Sequence, residues 1–316
     1  MNQPMSGYVV GAYAATPTAG GWDPELESQY YAAVAADTRV AGFELPWLGA
    51  LHPHDEEWLI ANLPAPLTAV ITDVPHVFPT VLKQPTYGLA SADEEGRAQA
   101  MADARRLKED VRRLHQRLGR QAVHTVELHA GPRADQAGVE PLVASLTELA
   151  GWDWDGAELV LEHSDALVAG QTPEKGFLPL ADEIAAIQQS GTQLGVTLNW
   201  GRSALELRDP NRVVEHIAQA REAGLLRGFL FSGVTDTSEQ FGRPWADAHN
   251  PFRASDLHGH GDEVSLLTDN LARDAIAALD PQTWLGIKMS WPAGGTEIED
   301  RVAMLHESLD ALDRVR

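Results

Sequence analysis

The chain has 316 residues, no cysteine, and 46 acidic against 24 basic side chains, a formal net charge of −22. Without cysteine there is no disulfide framework, thiolate zinc site, iron–sulfur cluster or thiol nucleophile. The charge argues against nucleic-acid partners and against an anionic membrane surface, both of which are held by Lys and Arg, while a hydrophobic content of 44% is that of a globular protein.

The opening residues carry no positive charge ahead of their apolar stretch. That stretch is short and runs into turn residues, so it reads as a first strand and not a secretion signal. No run approaches the roughly 18 apolar residues of a membrane span. The expectation is a cytoplasmic protein.

In chain order, short apolar runs alternate with longer amphipathic ones. A strand is expected over 8–14, then a helix over 24–40 with Asp23 as its cap and Pro24 in its first turn, where a missing N–H costs nothing. A strand over 42–48 precedes a helix over 54–62, and a strand over 67–72 precedes an irregular, proline-containing stretch. A long charged helix follows over 92–118. The rhythm continues with strands over 122–130, 158–162, 194–199, 227–234 and 284–290. Their helices are expected over 139–150, 178–189, 211–223, 263–279 and 297–312.

Strands alternating with helices pair in parallel, because each crossover returns the chain in the same direction. The eight strand–helix units predict a single (β/α)8 TIM barrel domain over 1–316. The rival is an open doubly wound sheet. Against it, Ala14 to Thr18 stand where a glycine-rich phosphate loop would follow the first strand, and no linker marks a second domain. The longest aperiodic connections, 73–91 and 235–262, follow strands 3 and 7 at the mouth of such a barrel. Their aromatic residues (His76, Phe78, Tyr87; Phe241, Trp245, Phe252) suit ordered lids, the alternative being an extension of the outer surface.

A barrel places chemistry where strands end, and most strands here turn polar at their C-terminal ends. The residues are Glu44 and Trp47, Thr72 and Asp73, Glu127 and His129, Glu162, His163 and Asp165, Asn199, Trp200 and Arg202, Ser232, and Lys288 with Trp291. Alternation puts Thr125, Glu127 and His129 on one face of the fourth strand, with Val126 and Leu128 opposite. The polar face then points to the barrel axis. Each residue has a structural alternative. The carboxylates pair with nearby cations, His129 is satisfied in the core, and Lys288 neutralises an acidic mouth. Trp47, Trp200 and Trp291 either stack on a sugar ring or pack in the core. His258 and His260 have metal-like spacing, but Asp262 beside them reads better as a helix cap.

The segments Gly42 to Pro46, Glu158 to His163 and Gly195 to Trp200 resemble the xylose-isomerase-like barrels, which include sugar phosphate isomerases and epimerases. More narrowly, the chain is similar to a bacterial domain-of-unknown-function branch of that group. The resemblance implies one divalent ion, Mn, Mg, Co or Zn, held by strand-end residues. Glu162 matches the first position, but Asn199, Ser232 and Lys288 stand where Asp, His and Glu are expected. An ammonium at a cation's place disfavours the metal, so no cofactor is expected.

The leading expectation is an isomerase- or epimerase-like enzyme acting on a sugar or sugar acid. Glu162 serves as general base with Glu127 beside it, and Lys288 stabilises the enediolate. Glu44, Trp47, His129, His163, Asn199, Trp200, Ser232 and Trp291 line the substrate, and Arg202 and Arg243 fix an oxyanion. The alternatives are a Lys288 Schiff-base lyase or aldolase, a two-carboxylate glycosidase, and a non-catalytic carbohydrate-binding barrel. The expected partner is a small carbohydrate; homo-oligomer formation stays open.

Overall fold

The computed structural model describes residues 5–237, 240–292, 294–295 and 297–316. In chain order its elements are β1 (Tyr8–Val10), α1 (Pro24–Ala35), β2 (Val40–Pro46), α2 (Glu56–Ala61), β3 (Thr68–Thr72), α3 (Val74–Lys83) and α4 (Glu94–Leu118). They continue with β4 (Val123–Leu128), α5 (Val139–Ala150), β5 (Glu158–Glu162), α6 (Leu180–Ser190), β6 (Gly195–Asn199), α7 (Trp200–Leu207), α8 (Val213–Glu222), β7 (Leu226–Phe231), α9 (Asp269–Ala278), β8 (Trp284–Ile287) and α10 (Ile298–Val315). The eight strands run in parallel, each beside its sequence neighbour, and β8 closes on β1 with Tyr8 opposite Leu285. The fold is the (β/α)8 barrel.

The alternation of each strand sorts two interiors. Tyr8, Val10, Phe43, Leu45, Ala69, Ile71, Phe229 and Phe231 face outward and join the layer packed beneath the helices. Their inward neighbours Val9, Val70, Leu230 and Trp284 form a separate cluster that fills the barrel from its N-terminal end. The residues one step further toward the C-terminal end turn polar, so the site rests on an apolar plug. Each buried aliphatic side chain contributes about 1.5–3 kcal/mol.

Local signals explain most of the boundaries. Asp23 accepts the Glu25 and Leu26 amides at the start of α1, and Asp93 accepts the Gly96 amide at the start of α4. The structure departs from expectation in several places. The first strand stops at Val10, and Ala12–Ala15 is a 3-10 turn. Helix α1 ends at Ala35, so 40 belongs to β2. The stretch after β3 contains α3, with Pro75 in its first turn, where no amide N–H is required. Helix α7 springs directly from β6, and α9 begins at Asp269 under a Thr268 cap. Asp262 therefore caps no helix; its carboxylate accepts a hydrogen bond from the Asn250 side chain.

Candidate active site

Glu44, Glu127, Glu162, His129, Asn199, Ser232, Arg202 and Lys288 converge at the C-terminal end of the barrel, each at most 1% exposed. Glu162 is the most tightly held. One oxygen accepts the Thr72 hydroxyl at 3.0 Å and faces His129 Nε2 at 2.9 Å; the other pairs with the Arg202 guanidinium. Burial pushes its pKa up, but Arg202 and His129 outweigh burial and hold the carboxyl well below the ordinary range. His129 bridges two carboxylates, with Nδ1 at 2.7 Å from Asp73. Burial opposes its charge, yet Asp73 and Glu162 raise its pKa.

Lys288 donates to Glu44 Oε1 at 2.9 Å, and its ammonium lies 5.1 Å from the centre of the Tyr13 ring. Glycine at position 11 makes this pair fit: a Cβ there would stand 2.8 Å from Glu44 Oε2 and 2.9 Å from Lys288 Cγ. Burial disfavours the ammonium, but Glu44 outweighs it and raises the pKa above that of free lysine. Lys288 is a cation here. The Glu44 carboxyl itself is raised by burial, and its Oε2 makes no hydrogen bond.

Glu127 is the exception. Neither of its oxygens is paired with a cation, and the Thr197 hydroxyl lies beside it as a polar neighbour. Burial first, then Glu162 and Glu44, raise its pKa well above the carboxylate range. Charge balance says the same. Glu44, Glu162, Asp73 and Asp247 stand against Lys288, Arg202, His129 and Lys175, which leaves Glu127 without a counter-charge. A buried carboxylate without a partner takes up a proton. Glu127 rests as the neutral acid.

Arg202 sits in the first turn of α7 because Asn199 caps that helix, accepting the Arg202 amide at 3.2 Å. The same Asn199 oxygen accepts the Ser232 hydroxyl at 2.7 Å. Arg202 also donates from Nε to Asp247 at 3.0 Å, and Lys175 reaches the same Asp247 oxygen at 2.5 Å. Asp247 belongs to the connection after β7, which thereby closes over the centre. Sequence reasoning took neither Asp247, Lys175, Asp73 nor Tyr13 as a site residue. Asp73 carried the strand-end signal; Asp247 lies in an aperiodic stretch and carried none.

Other expected residues stand apart. His163 faces away from the axis, with Nδ1 at 2.7 Å from Glu183 and Nε2 at 2.9 Å from Glu206, and so ties β5 to α6 and α7. Trp47 is buried and donates to Asp110 on α4 at 2.8 Å, and Trp200 is fully buried; neither offers a free face to a sugar. Arg243 is half-exposed and paired with Glu174. Trp291 packs under Arg301, 5.6 Å away. His258 and His260 are spent on Asp269 and Glu307.

The carboxylates of Glu44, Glu127 and Glu162 can bring oxygens within 4.8 Å of one another, a spacing a hard cation would accept. The charge does not fit. Lys288 already holds the cation's place against Glu44, and the Asn199 oxygen is committed to Arg202 and Ser232. The donor set does not match a divalent ion.

Three comparisons bear on this geometry. Residues 9–304 match the family model described as a domain of unknown function, DUF4862. A Salmonella typhimurium (strain LT2) protein, named only as uncharacterized, is 32% identical over 98% of this chain and 97% of its own length. Among solved structures, the IOLI protein with a binding zinc atom superposes with a TM-score of 0.62 at 12% identity, covering 98% of this chain and 99% of that one. The D-allulose 3-epimerase from Methylomonas sp. gives 0.60 at 12% identity over the whole of both chains. A putative xylose isomerase from Rhodospirillum rubrum gives 0.60 at 13%, covering 98% and 99%. At such identities the likeness is one of fold, the xylose-isomerase-like barrel. By sequence, the chain belongs to the DUF4862 family.

Proposed function

We propose that the barrel centre moves a proton at a carbon beside the carbonyl of a sugar or sugar acid, as an isomerase or epimerase does. The carrying observation is the Glu127 carboxyl, buried, without a cation partner and beside Glu44 and Glu162. The roles differ from those expected from sequence. Glu162 is too firmly held by Arg202, His129 and Thr72 to be a good base. Glu44, with a raised pKa and a free oxygen, takes the proton from carbon. The electron pair moves onto the carbonyl oxygen, where the Lys288 ammonium stabilises the enediolate. Glu127 returns a proton to carbon. Arg202 and His129 orient Glu162, and an anionic substrate head meets Arg202 once the connection after β7 moves aside. Imine chemistry is disfavoured, because a Lys288 held as ammonium is no nucleophile.

The test is carbon–hydrogen exchange in D2O, followed by NMR over a panel of aldoses, ketoses and sugar acids. Wild type should incorporate deuterium beside the carbonyl, and Glu127→Gln should slow this by about 100-fold or more. A panel without any exchange would refute the reading.

A further inference from the structure

The loops after β1 and β2 meet over α1 and enclose a cavity of about 240 Å³. Tyr13 lines it and also carries Lys288 over its ring, but none of the barrel-centre carboxylates reaches it. Its walls are aromatic: Trp22, Tyr31 and Trp58 join Tyr13. Trp22 stacks on His54 with ring centres 4.9 Å apart, which fixes the indole in place.

The polar groups of this cavity are unusual in their sum. Glu27 is its one carboxylate, only 6% exposed, and no Lys or Arg lines it among the described residues. Glu27 Oε1 has one long contact, 3.4 Å from the Thr16 hydroxyl, and the Trp22 indole N–H and the Thr18 hydroxyl are neutral polar neighbours of the carboxylate. Several other polar atoms are already committed, although the Trp22 indole N–H, which also favours the Glu27 carboxylate, has no further partner. Thr16 and Thr18 bond to each other at 2.9 Å, and His52 Nδ1 accepts the amides of His54 and Asp55. A neutral sugar in this space would find few partners for its hydroxyls. What the cavity lacks is a positive charge.

We propose that it binds a small organic cation, an ammonium or quaternary ammonium group seated against the faces of Trp22, Tyr31 and Trp58 with Glu27 as its counter-ion. Aromatic faces attract such cations through their quadrupoles, more strongly once water is excluded. The burial that raises the Glu27 carboxyl is offset when a cation arrives. The site is independent of proton transfer at the barrel centre and stands whether or not that reading holds.

Two sources carry this chemistry, a free quaternary amine and an amino sugar. Titration calorimetry of the full chain at pH 8 and moderate salt separates them. The probes are choline against its neutral isostere 3,3-dimethyl-1-butanol, and D-glucosamine against D-glucose. At least one charged probe should bind saturably, tenfold or more tighter than its neutral counterpart; the pair that does so names the source. Glu27→Gln should weaken that binding at least tenfold, and Trp22→Leu likewise. The isostere comparison uses the unaltered protein, so it stands even if a variant fails to fold. Equal binding of charged and neutral probes, no binding of either cation, or full affinity retained in a folded Glu27→Gln protein would each overturn the proposal.

Discussion

Replacing Glu127 and Glu162 in turn by glutamine separates two carboxyls that look alike in the sequence. Glu162 is ionised against Arg202 and His129. Glutamine there leaves two buried cations without their shared partner, and breaking such a pair costs about 3–5 kcal/mol. For a large domain each kcal/mol moves the melting temperature by about 2–4 °C, so Glu162→Gln should melt roughly 6–20 °C lower. Glu127 has no cation partner and its pKa is raised well above the carboxylate range, so a glutamine of the same shape changes no charge. Its effect should stay within about 1 kcal/mol. Both proteins are to be compared by urea and thermal unfolding at pH 7, with near-ultraviolet circular dichroism to check the native fold. If Glu127→Gln loses as much stability as Glu162→Gln, the charge assignment of the barrel centre is wrong.

Three further outcomes follow from the same geometry. Lys288→Met strips Glu44 of its ammonium and should cost about 3–5 kcal/mol in urea unfolding; intact-mass analysis after borohydride and a short aldehyde should find no adduct on Lys288 of the wild type at pH 7. His163 is held up to about 10 because Glu183 and Glu206 outweigh the burial that opposes its charge. A raised pKa stabilises fully below the unfolded value of about 6.5 and fades as pH climbs through the folded one, so the wild-type melting temperature should fall between pH 7 and 10 and fall less in His163→Gln. Asp110→Ala removes the acceptor of the buried Trp47 indole, and a loss of about 1–3 kcal/mol is expected in chemical denaturation.

The barrel was legible because its signal repeats: apolar runs of strand length, each followed by an amphipathic stretch, leave few topologies open. The inward face of β4 was legible too, since Val126 and Leu128 alternating with Glu127 and His129 leave one arrangement that buries the aliphatic pair among helices. Helix α3 was hidden by Pro75 and Pro79, which lower helix propensity although the first sits where it is harmless. Helix α7 was hidden by its eight-residue length and by its start at the strand end, though the Asn199 cap was a readable mark. Roles were less legible than positions. Sequence marks Glu44, Glu127 and Glu162 as three strand-end acids. Their protonation depends on Arg202, Asp73 and Lys288, which arrive from other parts of the chain. His163 follows Glu162 directly, so strand alternation turns it to the opposite face, where Glu183 and Glu206 hold it against the helices.

The Asp247 carboxylate between Lys175 and Arg202 amounts to a ligand the protein carries on its own tether. Because it is covalently attached, it competes at a fixed effective concentration, in the millimolar range for a short flexible tether. An anionic substrate seeking the same two cations gains only the difference between its contacts and those it displaces, so its measured affinity falls below its intrinsic one by the fraction of open molecules. A neutral sugar, with nothing to exchange for Asp247, leaves the strap where it is. Under the proposed function, such a strap would set a threshold that favours ligands bringing a negative charge of their own, in a chain whose overall charge would otherwise repel them.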